Sequence, residues 1–401
     1  MNKRSPLFWA VIVALATSPA FASGFGFYEN GANASAQGGA WVARANDASA
    51  NWYNPAALVH LSGGEVQFGL NYLEIGRDTH FSSNIYGSYD AVGNGVTPAH
   101  FYYSQKINDR IAWGVGLNSP FGLISEWKDA PVTFSSRRAE LRTYLLNPNV
   151  AFKLSKGWSL ALGVDYLSAE VTEFSHDAVV LGIPSTANLA GEGDSWGYNA
   201  ALQFKSKSFS IAGQYRSVLK PEIDGHLTFT GAPGAILNSA ATSEIDLPAQ
   251  IMLGAAWTGK RVDVEFGGYE TRWNSFRSLD IQTGNPATNK NLTENWDTTW
   301  SYRLGLAVRL GKEMKHELRA GGVFDRSPIP VEYLRPSIPD ADRTEFSLGY
   351  GYLSKRWGID VYAMYLSFAD VTANGKLSDG VFNATYSSSI MLGGVTAKYR
   401  F

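Results

Sequence analysis

The sequence predicts an all-β protein: a 14-stranded antiparallel transmembrane β-barrel plugged by a small N-terminal hatch. Three observations lead there. Polar and apolar residues alternate with period two over fourteen separate segments. The connections between those segments alternate strictly between short and long. Residues 23–61, rich in alanine and glycine, are the only long stretch after the leader without that rhythm.

The first 22 residues read as a secretory signal. Lys3 and Arg4 form a charged start, residues 7–16 an apolar core, and Ala20-Phe21-Ala22 a small-x-small cleavage site. That core is too short to span a bilayer as a helix, and no later segment reaches about 18 apolar residues. A membrane location after cleavage therefore requires a closed barrel, because only closure satisfies every backbone group in lipid.

Residues 23–62 are the expected hatch and 63–401 the barrel. Ala32, Ala34, Ala36, Gly38, Gly39 and Ala40 allow backbone to pack tightly in a confined space. Asp47 is placed to cap a helix, and Pro55 disfavours helix at Asn54 and predicts a turn there. Trp41, Trp52, Tyr53 and Leu58 argue against a disordered tail.

The alternating segments are 65–77, 97–107, 111–118, 138–154, 158–174, 194–205, 208–229, 243–258, 261–282, 296–310, 316–325, 342–354, 357–371 and 388–401. An even count puts both barrel ends on the periplasmic side. Short turns fall at 108–110, 155–157, 205–207, 259–261, 311–315 and 354–356. Long external loops fall at 78–96, 119–137, 175–193, 230–242, 283–295, 326–341 and 372–387. Trp113, Trp158, Trp257 and Trp357 lie beside short turns, where a periplasmic aromatic girdle belongs. In residues 300–310 the even positions are apolar and face lipid, leaving Ser301, Arg303, Ala307 and Arg309 inside. The last strand ends on Phe401, similar to the C-terminal signal read by the barrel assembly machinery.

Composition narrows the function classes. Formal charge is −2 and pI about 6.3, which gives no reason for a nucleic-acid partner. There is no cysteine, so thiolate metal sites and disulfides are excluded. A mean hydropathy of −0.15 fits a barrel with a wet lumen as well as a soluble protein. His60, His80, His100, His176, His226 and His316 sit in no catalytic motif, and no metal-ligand spacing stands out. Neither an enzyme nor a cofactor is expected.

Two features carry the functional expectation. The third segment runs from good alternation into Asn118-Ser119-Pro120-Phe121-Gly122. Pro120 cannot donate to a ladder and Gly122 invites a bulge, so either the strand ends there or the wall breaks. The external loops also carry Val179, Leu181 and Ile183, and Ile236 and Leu237. Apolar residues on exposed loops of a barrel form a lid, a binding groove, or both.

The chain resembles the long-chain fatty acid transporter (FadL-type) family of Gram-negative outer-membrane proteins. The resemblance rests on Ser23-Gly24-Phe25, Asn54-Pro55-Ala56, residues 107–109 with Trp113-Gly114, residues 118–123, Leu247-Pro248, and residues 325–330 with 338–343. It implies passive uptake of hydrophobic small molecules, with long-chain fatty acids the expected substrate, by a monomer embedded in outer-membrane lipid. Ligand is caught at the external loops, passes to a pocket formed by Phe25, Phe27 and Tyr28, and leaves through a lateral opening at residues 118–122. Asn54, Pro55 and Ala56 would face the wall beside that opening. The inward-facing Arg142, Arg216, Arg303 and Arg309 are candidates to meet a carboxylate. A channel for aromatic hydrocarbons and an ordinary aqueous porin are the competing functions.

Overall fold

Fourteen strands of a computed structural model carry the alternation just described; residues 24–230, 237–375 and 382–401 are described. The leader, with Ser23, and Ile236 lie outside them. The strands are β1 Gly64–Ser83, β2 Ala99–Lys106, β3 Ile111–Asn118 with Gly122–Glu126, β4 Arg138–Lys153, β5 Trp158–Val180, and β6 Ile183–Lys205. They continue with β7 Phe209–Arg216 with Glu222–Thr230, β8 Ser239–Glu244 with Ala249–Thr258, and β9 Val262–Arg272 with Ser278–Thr283. The last five are β10 Lys290–Thr293 with Thr298–Leu310, β11 His316–Asp325, β12 Arg343–Leu353, β13 Trp357–Phe368 and β14 Thr385–Arg400.

Each strand pairs antiparallel with the next, and β14 returns to β1 from Glu65↔Arg400 to Glu74↔Met391, so the sheet closes. Closure leaves no lipid-facing edge of unpaired backbone. Facing follows the sequence pattern: Tyr302, Leu304 and Leu306 are exposed while Ser301, Arg303 and Ala307 are buried. Trp113, Trp158, Trp257 and Trp357 are exposed beside the short turns.

The external loop expected at 175–193 is instead strand. β5 and β6 continue as a two-stranded ribbon to Val180↔Ile183, joined by Leu181 and Gly182, both in the left-handed region with φ 50° and 79°. Two positive φ values make the tight turn whose twist suits a hairpin. The ribbon was illegible because Val179 and Val180 are adjacent apolar residues, which breaks the two-residue rhythm. Paired backbone still satisfies its hydrogen bonds without alternation.

Residues 24–59 are buried inside the barrel except for Asn46. They hold two single-turn helices, α1 Ala32–Ser35 and α2 Ala50–Tyr53, and a 3-10 helix over Pro55–His60. Asp47 acts three residues before the helix, whose N-cap position is Ser49: its Oδ1 accepts from Ser49 N at 3.1 Å, and its carbonyl accepts from Ala50 N at 3.0 Å. Where a turn is expected at Pro55 the chain makes the 3-10 helix, with Asn54 Oδ1 accepting from Ala56 N at 3.1 Å. The small residues have a steric reason: a Cβ on Gly321 of β11 would stand 2.1 Å from Gly38 N. Wall carboxylates then hold the segment by its backbone, Glu265 accepting from Ala43 N at 2.7 Å and Arg44 N at 3.0 Å.

Candidate functional site

The wall is interrupted in β3. Asn118 pairs with Leu145 and Gly122 with Arg142, so Ser119, Pro120 and Phe121 stand opposite only Thr143 and Tyr144. One extra residue in a ladder makes a bulge, and here it leaves the sheet inward. Phe27 N donates to Pro120 O at 2.7 Å and Gly122 N donates to Phe25 O at 2.8 Å, with Gly26 bridged to Phe121. The other side of the break is open. β2 pairs with β3 no higher than Phe101↔Leu117, and the upper segment of β3 pairs only with β4. The gap is spanned above by Val92 N donating to Glu126 O at 2.8 Å. Of the two readings of residues 118–122, the geometry is a break within a continuing strand.

The residues expected to face this break do so only in part. Gly26 and its neighbours meet it, whereas Asn54 Nδ2 reaches Val42 O at 2.7 Å and Ala56 O accepts from Ser159 Oγ at 2.8 Å on β5. Asn54, Pro55 and Ala56 thus pack toward the periplasmic end, Ser159 being the second residue of β5 after the short turn at 155–157. Phe27 and Tyr28 are buried, and Tyr28 is bonded through its hydroxyl to Thr271 at 2.5 Å.

Phe25 forms one wall of an apolar inner cavity of about 80 Å³, whose other sides are Leu141, Phe174, Ile223, Ile245 and Phe276. Behind it Phe25 sits in an aromatic cluster, with ring centroids 4.6 Å from Trp273, 5.5 Å from Trp296 and 5.9 Å from Phe276. Such edge-to-face contacts add about 0.5–1.5 kcal/mol each beyond area burial. Outside this cavity lies a larger groove of about 540 Å³ between the β5–β6 ribbon, β7 and the β9–β10 ribbon. Phe174, Leu189, Leu292 and Ser337 line both, so the two spaces adjoin.

The loop residues singled out from sequence do not form these walls. Val179, Leu181 and Ile183 sit at the tip of the β5–β6 hairpin, Leu181 being 82% exposed, and Leu237 is half-buried away from both cavities. The groove is built lower on the same ribbon, by Phe174 at the end of the expected strand 158–174 and by Leu189, which the expected loop over 175–193 concealed.

All four candidate arginines are engaged elsewhere. Arg142 pairs with Glu140 at 2.6 Å and Arg216 with Asp165 at 2.7 Å. Arg303 donates to Gly38 O at 2.9 Å, and Arg309 pairs with Asp263. Sequence reasoning missed Arg335 and Glu294, a buried ion pair between the groove and the cavity. Burial raises the Glu294 carboxyl to about 7 against the opposing pull of Arg335. Residues 326–342 also reach inward: Asp340 Oδ2 accepts from Gly24 N at 3.0 Å and from Ser327 Oγ at 2.8 Å.

The sequence profile described as outer membrane protein transport protein (OMPP1/FadL/TodX) matches residues 13–401. The long-chain fatty acid transport protein of Escherichia coli O6:H1 is 26% identical, across 94% of this chain and 93% of that protein. Its namesake from Salmonella typhi is 26% identical across 98% and 97%. In fold, a Pseudomonas aeruginosa FadL homologue superposes with a TM-score of 0.82 at 20% identity, covering 94% of this chain and all of that one.

Proposed function

The chain belongs to the OMPP1/FadL/TodX family of outer membrane transport proteins, and from that premise we propose that it takes up long-chain fatty acids passively and releases them sideways into the membrane. The observation that carries this reading is continuity. The external groove adjoins the inner cavity through Phe174, Leu189 and Leu292, the cavity ends on Phe25, and Phe25 and Phe27 are hydrogen-bonded to the interruption in β3. An apolar ligand leaving the groove meets apolar surface at each step, so no step exposes its chain to water. The relatives matched over nearly their whole length support the fatty acid as substrate.

Removing residues 23–28 tests the inner cavity. The deletion takes away the Phe25 wall, and burying one such ring contributes roughly 1.5–3 kcal/mol, so oleate affinity is expected to fall roughly tenfold or more. Unchanged affinity in an equilibrium titration would overturn the assignment.

An aqueous porin is a weaker reading, since buried residues fill the lumen from Gly24 to Val59. Planar-bilayer recording is expected to show no steady large current. An uncharged aromatic hydrocarbon is favoured by one observation: the polar groups of the inner cavity are carboxylates and hydroxyls, Glu140, Glu173, Glu294, Ser243 and Ser337.

A further inference from the structure

The largely apolar groove, which carries Lys290 and Arg335, adjoins a cavity whose charged groups are carboxylates, and one ion pair stands at the boundary. Arg335 lines the groove and Glu294 lines the cavity, each 6% exposed. The guanidinium donates to Glu294 Oε1 through one nitrogen and to Thr293 O at 2.7 Å through another. The second carboxylate oxygen, Oε2, accepts from Trp296 Nε1 at 3.0 Å, and Trp296 lies 5.5 Å from Phe25 and 4.9 Å from Trp273. The pair therefore connects the groove to the ring that closes the inner cavity. On the groove side Lys290 Nζ lies 2.8 Å from His176 Nε2. On the cavity side Glu140 pairs with Arg138 at 2.7 Å, and Glu173 lies 3.7 Å from the same guanidinium.

Resting on the fatty acid reading above, we propose that Arg335 and Glu294 form an exchange gate for an aliphatic carboxylic acid: the carboxylate of the substrate replaces that of Glu294 on the Arg335 guanidinium. The substrate enters as the protonated acid. Its O–H bond breaks, the proton passes to Glu294 and forms a new O–H bond there, and the substrate, now a carboxylate, takes the Arg335 hydrogen bond. Charge in the site is the same before and after, so no additional ion is buried. The raised carboxyl of Glu294 suits it to receive that proton. Once neutral, Glu294 holds the Trp296 indole with a weaker hydrogen bond, because charge-assisted bonds are roughly twice as strong as neutral ones. The Trp296–Phe25 packing is loosened at the moment the alkyl chain reaches the cavity. An ester or a hydrocarbon has no proton to give and no carboxylate to place, so it crosses the boundary without opening the pair.

The test compares oleate with methyl oleate on the purified full-length protein and on two variants, with heat-modifiability on gels reporting an intact barrel. Arg335→Met removes the cation and is expected to weaken oleate roughly tenfold or more while methyl oleate stays within roughly threefold. Glu294→Gln keeps the shape and releases Arg335 from its competing anion, so oleate is expected to bind roughly tenfold more tightly with the ester again little changed. Equal losses for acid and ester in Arg335→Met, or oleate binding unaltered by Glu294→Gln, would overturn the gate. Should Arg335→Met fail to assemble, the near-isosteric Glu294→Gln decides alone. If wild-type protein binds neither probe, the fatty acid reading itself falls; if it binds both and the variants treat them alike, only the gate does.

Discussion

Deletion of Pro120 alone is expected to cut uptake severely while leaving both the barrel and ligand binding in place. The reason is a count. Three residues, Ser119, Pro120 and Phe121, oppose two on β4, between the pairs Asn118↔Leu145 and Gly122↔Arg142. Removing one restores one-for-one register from Ile111 to Glu126, and the side-chain alternation then passes through the former break without a slip. The inward excursion that accepts the Phe27 amide disappears with it. Oleate uptake into liposomes is expected to drop by roughly tenfold or more, because an exit that no longer opens sets the overall rate. Pro120→Ala is the control: it keeps the count, so the bulge and most of the uptake are expected to survive. Normal uptake by a correctly folded deletion variant would remove the lateral exit from the mechanism.

The largest effect on stability is expected from Arg343→Met. Arg343 is 2% exposed and holds three carboxylates: Asp325, Asp340 at 3.3 Å and Glu345 at 3.0 Å. Replacing the cation by an apolar side chain of similar length leaves those acids buried without it, and breaking a buried pair this way costs about 3–5 kcal/mol. The damage reaches the N-terminal segment, since Asp340 also accepts the Gly24 amide. The temperature at which the compact band is lost on gels is expected to fall clearly, and oleate binding with it. Arg343→Lys is expected to recover only part, because an ammonium cannot reproduce the planar fork that serves several carboxylates at once. An unchanged transition in Arg343→Met would show that these acids find other partners.

Much of the fold was legible because its signals are local. A strand facing lipid on one side and a wet or packed lumen on the other must alternate, so each of the fourteen segments carries its own period. β10 shows this plainly, with Tyr302, Leu304 and Leu306 outward and Ser301 and Arg303 inward. Where lipid no longer covers one face and adjacent apolar residues interrupt the rhythm, the signal stops. The β5–β6 ribbon reaches past the lipid and carries Val179 next to Val180, and its strands over 175–193 were hidden for that reason. The same loss placed the expected groove residues at the hairpin tip, on Val179, Leu181 and Ile183, instead of on Leu189 lower in the ribbon.

The local residue pattern specifies the wall: the number of strands, their facing, which turns are short, and that β3 contains something no regular ladder accepts. What meets what across the lumen is set by the closed barrel. Gly26 pairs with Phe121, Asp340 accepts the Gly24 amide, and Arg335 finds Glu294 at 41 positions' distance. Alternation is imposed on each strand by a polar, packed lumen on one side and lipid on the other, and so is written residue by residue. A contact between a segment inside the barrel and a loop above it depends on closure of the whole cylinder, and no short stretch of chain encodes that.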